Sequence, residues 1–160
     1  MKAMVVYSSQ SGNTKKLAEA VKEALPPGTE LYPVDQAPDP EGYDLVAVGF
    51  WFQAGGPDPK SAAYLPKLKG QKLFLFATHG AAADSEHAQQ GLQKAMALAP
   101  EAQLVGIFNC QGEVNPKVLA KVSARPDPPP WLSDTDKAKG HPDQGDLEAV
   151  KEAVSQALAG

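Results

Sequence analysis

Five short apolar runs along the chain predict the strands of a sheet. Residues 2–9, 43–50 and 72–80 are nearly continuous apolar runs, which are typical of strands buried on both faces. Residues 102–112 form a fourth run, bounded by polar residues at both ends. Residues 29–35 alternate and contain a proline without a backbone N–H, which favours a strand at the edge of the sheet.

Between these runs the apolar period changes to three and four residues, which predicts amphipathic helices. Asp58 and Ser85 are positioned as N-caps of two of them. The proline-rich stretch 125–145 has no clear period and predicts an irregular loop. We expect helices from Thr14 to the Pro26-Pro27-Gly28 stop, from Pro59 to about Leu68, from Glu86 to about Ala99, and from Asp143 or Asp146 onward.

The alternation of strands and helices predicts an α/β fold with a parallel sheet covered by helices on both faces. A length of 160 residues supports one buried core, so we expect a single domain over residues 1–160.

Composition narrows the function classes. The net charge of −4 and the absence of clustered Lys and Arg argue against nucleic-acid binding. No run approaches the roughly 20 apolar residues of a membrane span, and the start resembles a strand more than a signal peptide. We therefore expect a cytoplasmic protein. A single cysteine, Cys110, excludes an internal disulfide and dithiol chemistry.

The segment Ser8–Thr14, SSQSGNT, joins the first strand to the first helix through small and polar residues. The first N–H groups of a helix are unpaired and its dipole favours negative charge, so this loop is a candidate anion site. It contains no Lys or Arg, and an anion there would be neutralised by dipoles alone. A plain turn capped by Ser11 or Asn13 is the alternative.

Three other phosphate loops are excluded or disfavoured. The nucleoside-triphosphate loop needs Gly-Lys-Ser/Thr, which does not follow Gly12. The dinucleotide loop needs three glycines, although Asp35 ends the second strand where a ribose-binding acid would be expected. A receiver domain would want an aspartate after the third strand, where Phe50, Trp51 and Phe52 stand.

The loop resembles the phosphate loop of the flavodoxin family, which has the pattern Ser/Thr-x-Thr/Ser-Gly-Asn-Thr. The resemblance implies a five-stranded parallel sheet of order 2-1-3-4-5 and FMN as cofactor, with its phosphate on the first loop and its ring between the tails of the third and fourth strands. GFW, DSEHA, NCQG and HPDQGDLEAVKE are similar to a short group that includes the accessory flavodoxin of bacterial bilirubin reduction. The implied FMN-binding residues are Ser9, Gln10, Ser11, Gly12, Asn13, Thr14, Phe50, Trp51, Phe52, Gln53, Ala54, Thr78, His79, Gly80, Ala81 and Cys110.

One departure concerns the aromatic residues of the ring site. Flavodoxins place an aromatic residue in both tails, whereas THGAAAD, residues 78–84, has none. Trp51 and Phe52 are adjacent and should point to opposite sides of the chain, so one can face the ring. His79 is either a hydrogen-bond partner of the flavin or a surface histidine, and His87 is expected to be solvated. Cys110 is either a buried thiol or a flavin neighbour.

Three functions remain open. The first is an FMN-binding electron-transfer protein that exchanges electrons with a reductase and an acceptor, without catalytic residues or metal ligands of its own. The second is an FMN-dependent reductase of a small substrate, with residues 111–145 as a lid or partner surface. The third is a cofactor-free interaction domain of the same fold. The sequence favours an electron carrier.

Overall fold

Five parallel strands form the central sheet of the computed structural model, which describes all 160 residues. The parallel strands run in the order β2-β1-β3-β5-β6, and a two-residue strand, β4, pairs antiparallel with β3. Counted without β4, this is the predicted order 2-1-3-4-5, so the predicted fold class is confirmed. The strands are β1 (Ala3–Tyr7), β2 (Glu30–Pro33), β3 (Leu45–Gln53), β4 (Gly56–Pro57), β5 (Lys72–His79) and β6 (Gln103–Gln111).

Helices cover both faces of the sheet. Helices α1 and α5 pack on one face, where Leu17 and Val150 are buried, and α2 and α3 pack on the other, where Tyr64 and Leu92 are buried. None of the five helices combines the length and apolar character needed to cross a bilayer. The helices are α1 (Asn13–Ala24), α2 (Pro59–Tyr64), α3 (Glu86–Ala97), α4 (Pro116–Ser123) and α5 (Gln144–Ala159).

Successive side chains of the central strands enter opposite halves of the core. In β1, Val5 packs toward α1 and α5, whereas Met4 and Val6 pack toward α2 and α3. This explains why β1, β3 and β5 are apolar at nearly every position. Strand β6 is an edge strand, so Leu104 and Ile107 remain 45% and 38% exposed.

Local signals set most helix ends. Asp58, Ser85 and Asp143 are N-caps, each accepting a hydrogen bond from a backbone N–H of the first helical turn. The helix predicted to reach Leu68 ends at Tyr64 and continues as a 3₁₀ turn, because Pro66 has no N–H to donate to the preceding turn.

Two elements of the segment between β6 and α5 were not predicted. Helix α4 follows the N-cap Asn115 and begins with Pro116, and a 3₁₀ turn covers Pro130–Asp134 inside the predicted irregular loop. The pair Asn115-Pro116 is a helix-start signal that the sequence does contain.

Asp58 is a test of how much one buried cap stabilises the fold. Its carboxylate is 1% exposed and accepts hydrogen bonds from the N–H and hydroxyl of Ser61 and from the Trp51 N–H. Asp58→Ala should lower the free energy of unfolding by about 2 kcal/mol, because the cap is lost and a buried donor loses its partner. Urea denaturation measures the loss. Asp136→Ala, at an exposed side chain, is the control and should change it by less than about 0.5 kcal/mol.

Candidate functional site

A cleft of about 600 Å³ opens at the carboxyl ends of β1, β3 and β5. This is the edge at which open parallel sheets bind ligands, beside the point where the strand order reverses between β1 and β3. A polar hollow of about 540 Å³ lies at the opposite edge and has only Met1 and Tyr43 as apolar lining. We call the segments at the carboxyl ends of β1, β3 and β5 the first, second and third tails. They contribute to the cleft through Gln10, Ser11, Asn13, Thr14, Trp51, Phe52, Gln53, Ala54, Gly55, Thr78, His79 and Gly80.

The loop between β1 and α1 is shaped by Ser9 and Gly12. Gly12 is the N-cap residue with φ of +93°, a conformation that favours glycine, and it has no side chain of its own to cap the helix. The Ser9 hydroxyl accepts hydrogen bonds from the N–H of Gly12 at 3.1 Å and of Lys15 at 3.3 Å. Neither Ser11 nor Asn13, the caps expected for a plain turn, caps α1.

Four further backbone N–H groups around the start of α1 are free. Those of Gln10, Ser11, Asn13 and Thr14 make no hydrogen bond within the protein. They surround the N-terminus of α1, where the helix dipole adds a partial positive charge. The loop thus presents several donors to an anion without a cationic side chain of its own.

The side chains of Asn13 and Thr14 are used inside the protein. The Asn13 amide donates to the carbonyl of Glu113 at 3.0 Å, and it lies so close to Gly112 that a Cβ there would be 2.7 Å away. The hydroxyls of Thr14 and Thr78 hydrogen bond at 2.9 Å. Both contacts fix the loop to neighbouring tails, which keeps its free N–H groups in place.

The two adjacent aromatic residues near the end of β3 are both half-buried and both line the cleft, but Phe52 also packs against other side chains of the protein. Phe52 stacks parallel to Phe50, with ring centroids 6.0 Å apart, and covers Gly91 so closely that a Cβ there would lie 2.2 Å from the ring. Trp51 is half-buried and lines the cleft. Trp51 is therefore the better candidate for stacking on a flat ligand.

The turn after β3 is strained. Ala54 and Gly55 join β3 to β4 with φ of +54° and +78°, and Ala54 is the one non-glycine residue of the chain with positive φ. Positive φ at both central residues is typical of a two-residue hairpin turn in which glycine or asparagine is preferred. Alanine stores strain there, at the border of the cleft.

His79 is buried, which excludes the alternative of a surface histidine. It is 7% exposed, its Nε2 hydrogen bonds to Asn109 Oδ1 at 2.8 Å, and its Nδ1 has no hydrogen-bond partner. Burial lowers the pKa of His79, although the bond to Asn109 opposes this shift. A neutral imidazole with a spare nitrogen therefore lines the cleft.

Five predicted site residues do not line the cleft. Two of them, Ser9 and Gly12, shape the backbone of the first loop instead. Phe50, Ala81 and Cys110 are at most 4% exposed and belong to the core. The Cys110 thiol packs with the residues beneath α5, and burial raises its pKa, which is typical of an inert thiol.

Residues 114–131, which we call the roof, supply lining that was not assigned from the sequence. A Cβ on Gly80 would lie 2.7 Å from Val114 and 3.6 Å from Trp131, so the roof packs directly on the third tail. His87, expected to be solvated, is half-buried with its ring 6.3 Å from that of Trp131. The roof residues that line the cleft are Val114, Asn115, Val118, Val122, Arg125, Pro129 and Trp131.

Residues 4–155 match the flavodoxin domain family. The chain therefore belongs to the flavodoxin family, and the predicted resemblance is confirmed.

Two relatives are flavodoxin-like domain-containing proteins named BilS. The BilS of Clostridioides difficile is 29% identical and the alignment covers 92% of this chain and 90% of BilS. The BilS of Clostridium symbiosum is 28% identical, with 94% and 93% covered. The resemblance therefore extends to the BilS group.

Solved structures agree on the fold. Oxidised flavodoxin 2 from Bacillus cereus has a TM-score of 0.63 over 99% of both chains at 17% identity. A flavoprotein from Lactobacillus acidophilus in complex with FMN has a TM-score of 0.56 at 18% identity, covering 68% of this chain and 92% of its own.

The buried His79 should make the protein less stable in acid. The unfolded chain takes up a proton near the ordinary pKa of 6.5, whereas the folded state does so at lower pH, so unfolding is favoured as the pH falls below about 6.5. Urea denaturation at pH 5 and pH 7 should show that the free energy of unfolding falls less between pH 7 and pH 5 for His79→Gln than for wild type. Part of the acid loss should persist in this variant, because burial also lowers the pKa of His87, which is still present.

His141→Gln provides a control of opposite sign. Its Nδ1 hydrogen bonds to Asp146 at 2.6 Å, which raises the pKa of His141. The stabilisation by the protonated His141 is complete below pH 6.5 and fades as the pH rises through the pKa of the folded state. Relative to wild type, this variant should therefore lose more unfolding free energy at pH 5 than at pH 8. Equal pH profiles for wild type and His79→Gln would contradict the assignment of a neutral buried imidazole.

Proposed function

We propose that this chain is an FMN-binding electron-transfer protein that passes electrons between a reductase and an acceptor protein. The flavodoxin family supports FMN as the cofactor, and a relative of the same fold is known in complex with FMN. The observation that carries the proposal is the set of four free N–H groups at the N-terminus of α1. Such a set fits a phosphate group.

The residues of the cleft fit the other parts of FMN as well. The backbone of Gln10, Ser11, Asn13 and Thr14 would hold the phosphate, and the tail with Trp51 would supply a flat apolar surface for the ring. The cleft volume of about 600 Å³ lies within the usual range of cofactor sites.

FMN supplies the electron chemistry in such a protein, and the chain supplies binding and electrostatics. The loop holds the anionic group with dipoles alone, so it adds no full positive charge. Because burial keeps His79 neutral at pH 7, no cation from the third tail adjoins the ring site. The rings of Phe52 and His79 lie 4.6 Å apart and, with Trp131, form part of the cleft wall.

A second candidate is an FMN-dependent reductase of a small substrate. The roof supports it, because Val118, Val122 and Trp131 give the cleft an apolar wall that a phosphate and ring site alone does not require. Oxidation of NAD(P)H by the FMN-loaded protein without a partner protein would favour this function over electron transfer. The cofactor-free domain is the least supported of the three, since family and loop both fit FMN.

Gly12→Asp should abolish FMN binding. The Cβ position of Gly12 has no atom within 4 Å, so the new carboxylate fits but lies beside the phosphate. Repulsion between the two anions at about 6 Å should weaken binding about 100-fold or more. Gly12→Asn is the matched control, with the same shape and tolerance of positive φ but no charge. Fluorescence titration with FMN measures both, and equal affinities would place the phosphate elsewhere.

Trp51→Ala should weaken FMN binding by about 1–3 kcal/mol, the usual cost of losing one aromatic stacking partner of a heterocyclic base. Trp131→Ala, which removes the other tryptophan of the chain, should cost less, because Trp131 belongs to the roof. Calorimetric titration with FMN measures the two affinities. A larger loss for Trp131→Ala would mean that the ring lies against the roof and not against Trp51.

A further inference from the structure

The roof carries a charge opposite to that of the whole chain. Residues 114–126 include three basic residues, Lys117, Lys121 and Arg125, and no acidic residue, whereas the net charge of the chain is −4. We call these three residues the basic stripe. A local positive charge on an acidic protein produces a field that distinguishes one face from the others.

The basic stripe is exposed and unpaired. Lys117 and Lys121 lie one turn apart on α4, and Arg125 follows one turn later, just after the helix ends. All three are exposed and none forms an ion pair, although six ion pairs occur elsewhere in the protein. The nearest acids along the chain, Glu113 and Asp127, flank the stripe, and Glu113 accepts a hydrogen bond from the Gly140 N–H.

The basic stripe borders the mouth of the cleft. Arg125 and Val118 line the cleft, and Val118 is also 43% exposed. Of the residues of α4, Val122 alone is fully buried, so this helix presents most of its surface to solvent. An exposed apolar side chain beside unpaired cations, next to a cofactor cleft, has the composition of a small transient interface.

We propose that the basic stripe and Val118 form the docking surface for an acidic redox partner protein. The inference rests on the proposed function and adds the charge and place of the partner. An acidic partner is attracted to the stripe and repelled by the remaining, net acidic surface, so it is steered to the edge at which the cleft opens. Electron exchange then takes place where the partner and the cofactor site are closest.

The test uses two haem proteins of opposite charge as electron acceptors. Cytochrome b5 is acidic and mitochondrial cytochrome c is basic, and each ferric haem takes one electron from reduced FMN, with two haems reduced and two protons released per flavin. FMN loading is first verified by absorbance. Haem reduction by the FMN-loaded, reduced protein is then followed by anaerobic stopped flow at low and high salt.

The variant is Lys117→Gln with Lys121→Gln, and Lys22→Gln with Lys72→Gln is the matched control. The control pair is also exposed and free of ion pairs, but lies near the opposite edge of the sheet. At low salt the stripe variant should reduce cytochrome b5 about fivefold more slowly than wild type, and the control less than about twofold more slowly. Both differences should vanish at about 0.5 M salt, and the stripe variant should not reduce cytochrome c more slowly.

Equal rates for wild type and stripe variant would overturn the inference, because the stripe would then not attract the partner. Equal losses in both double variants would also overturn it, because net charge would then explain the result. Failure to bind FMN would overturn the proposed function and would be seen before the kinetics. In that case, direct calorimetric binding of cytochrome b5 to the FMN-free protein and its stripe variant tests the surface alone, and equal affinities overturn it. Tighter binding of a DNA duplex than of cytochrome b5 would assign the stripe to nucleic acid instead.

Discussion

Free N–H groups at the start of α1 are the constraint on which the candidate site depends. The first N–H groups of any helix have no partner within the helix, and at the start of α1 the neighbouring residues leave four N–H groups open beside the cleft. Gly12 supplies the backbone turn, the Ser9 hydroxyl accepts from the N–H groups of Gly12 and Lys15, and Asn13 and Thr14 anchor the loop through their side chains. The loop is thereby preorganised for an anion.

The sheet brings the remaining parts of the site to this loop. Strands β1 and β3 are neighbours at the point where the strand order reverses, so the tail of β3 borders the loop, and β5 adds its tail beside it. The hydrogen bond between Thr14 and Thr78 joins the first and third tails, and the bond between His79 and Asn109 joins the third tail to β6. Packing at one end of the sheet thus determines both the fold and the shape of the cleft.

The site combines two parts of different composition. The loop and the tails of β3 and β5 follow from the flavodoxin fold. The roof is a separate layer that packs on Gly80 and closes one side of the cleft. It brings apolar side chains and positive charge to a protein that is otherwise acidic.

The sequence by itself determined the strands, most helix ends and the loop, because these depend on apolar period and on caps such as Ser85 that act over a few residues. The tertiary structure decided which side chains face the cleft. Cys110 and Phe50 turn into the core, His79 is buried against Asn109, and the roof folds over the third tail. Those positions depend on contacts between residues far apart in the chain, and a local period carries no information about such contacts.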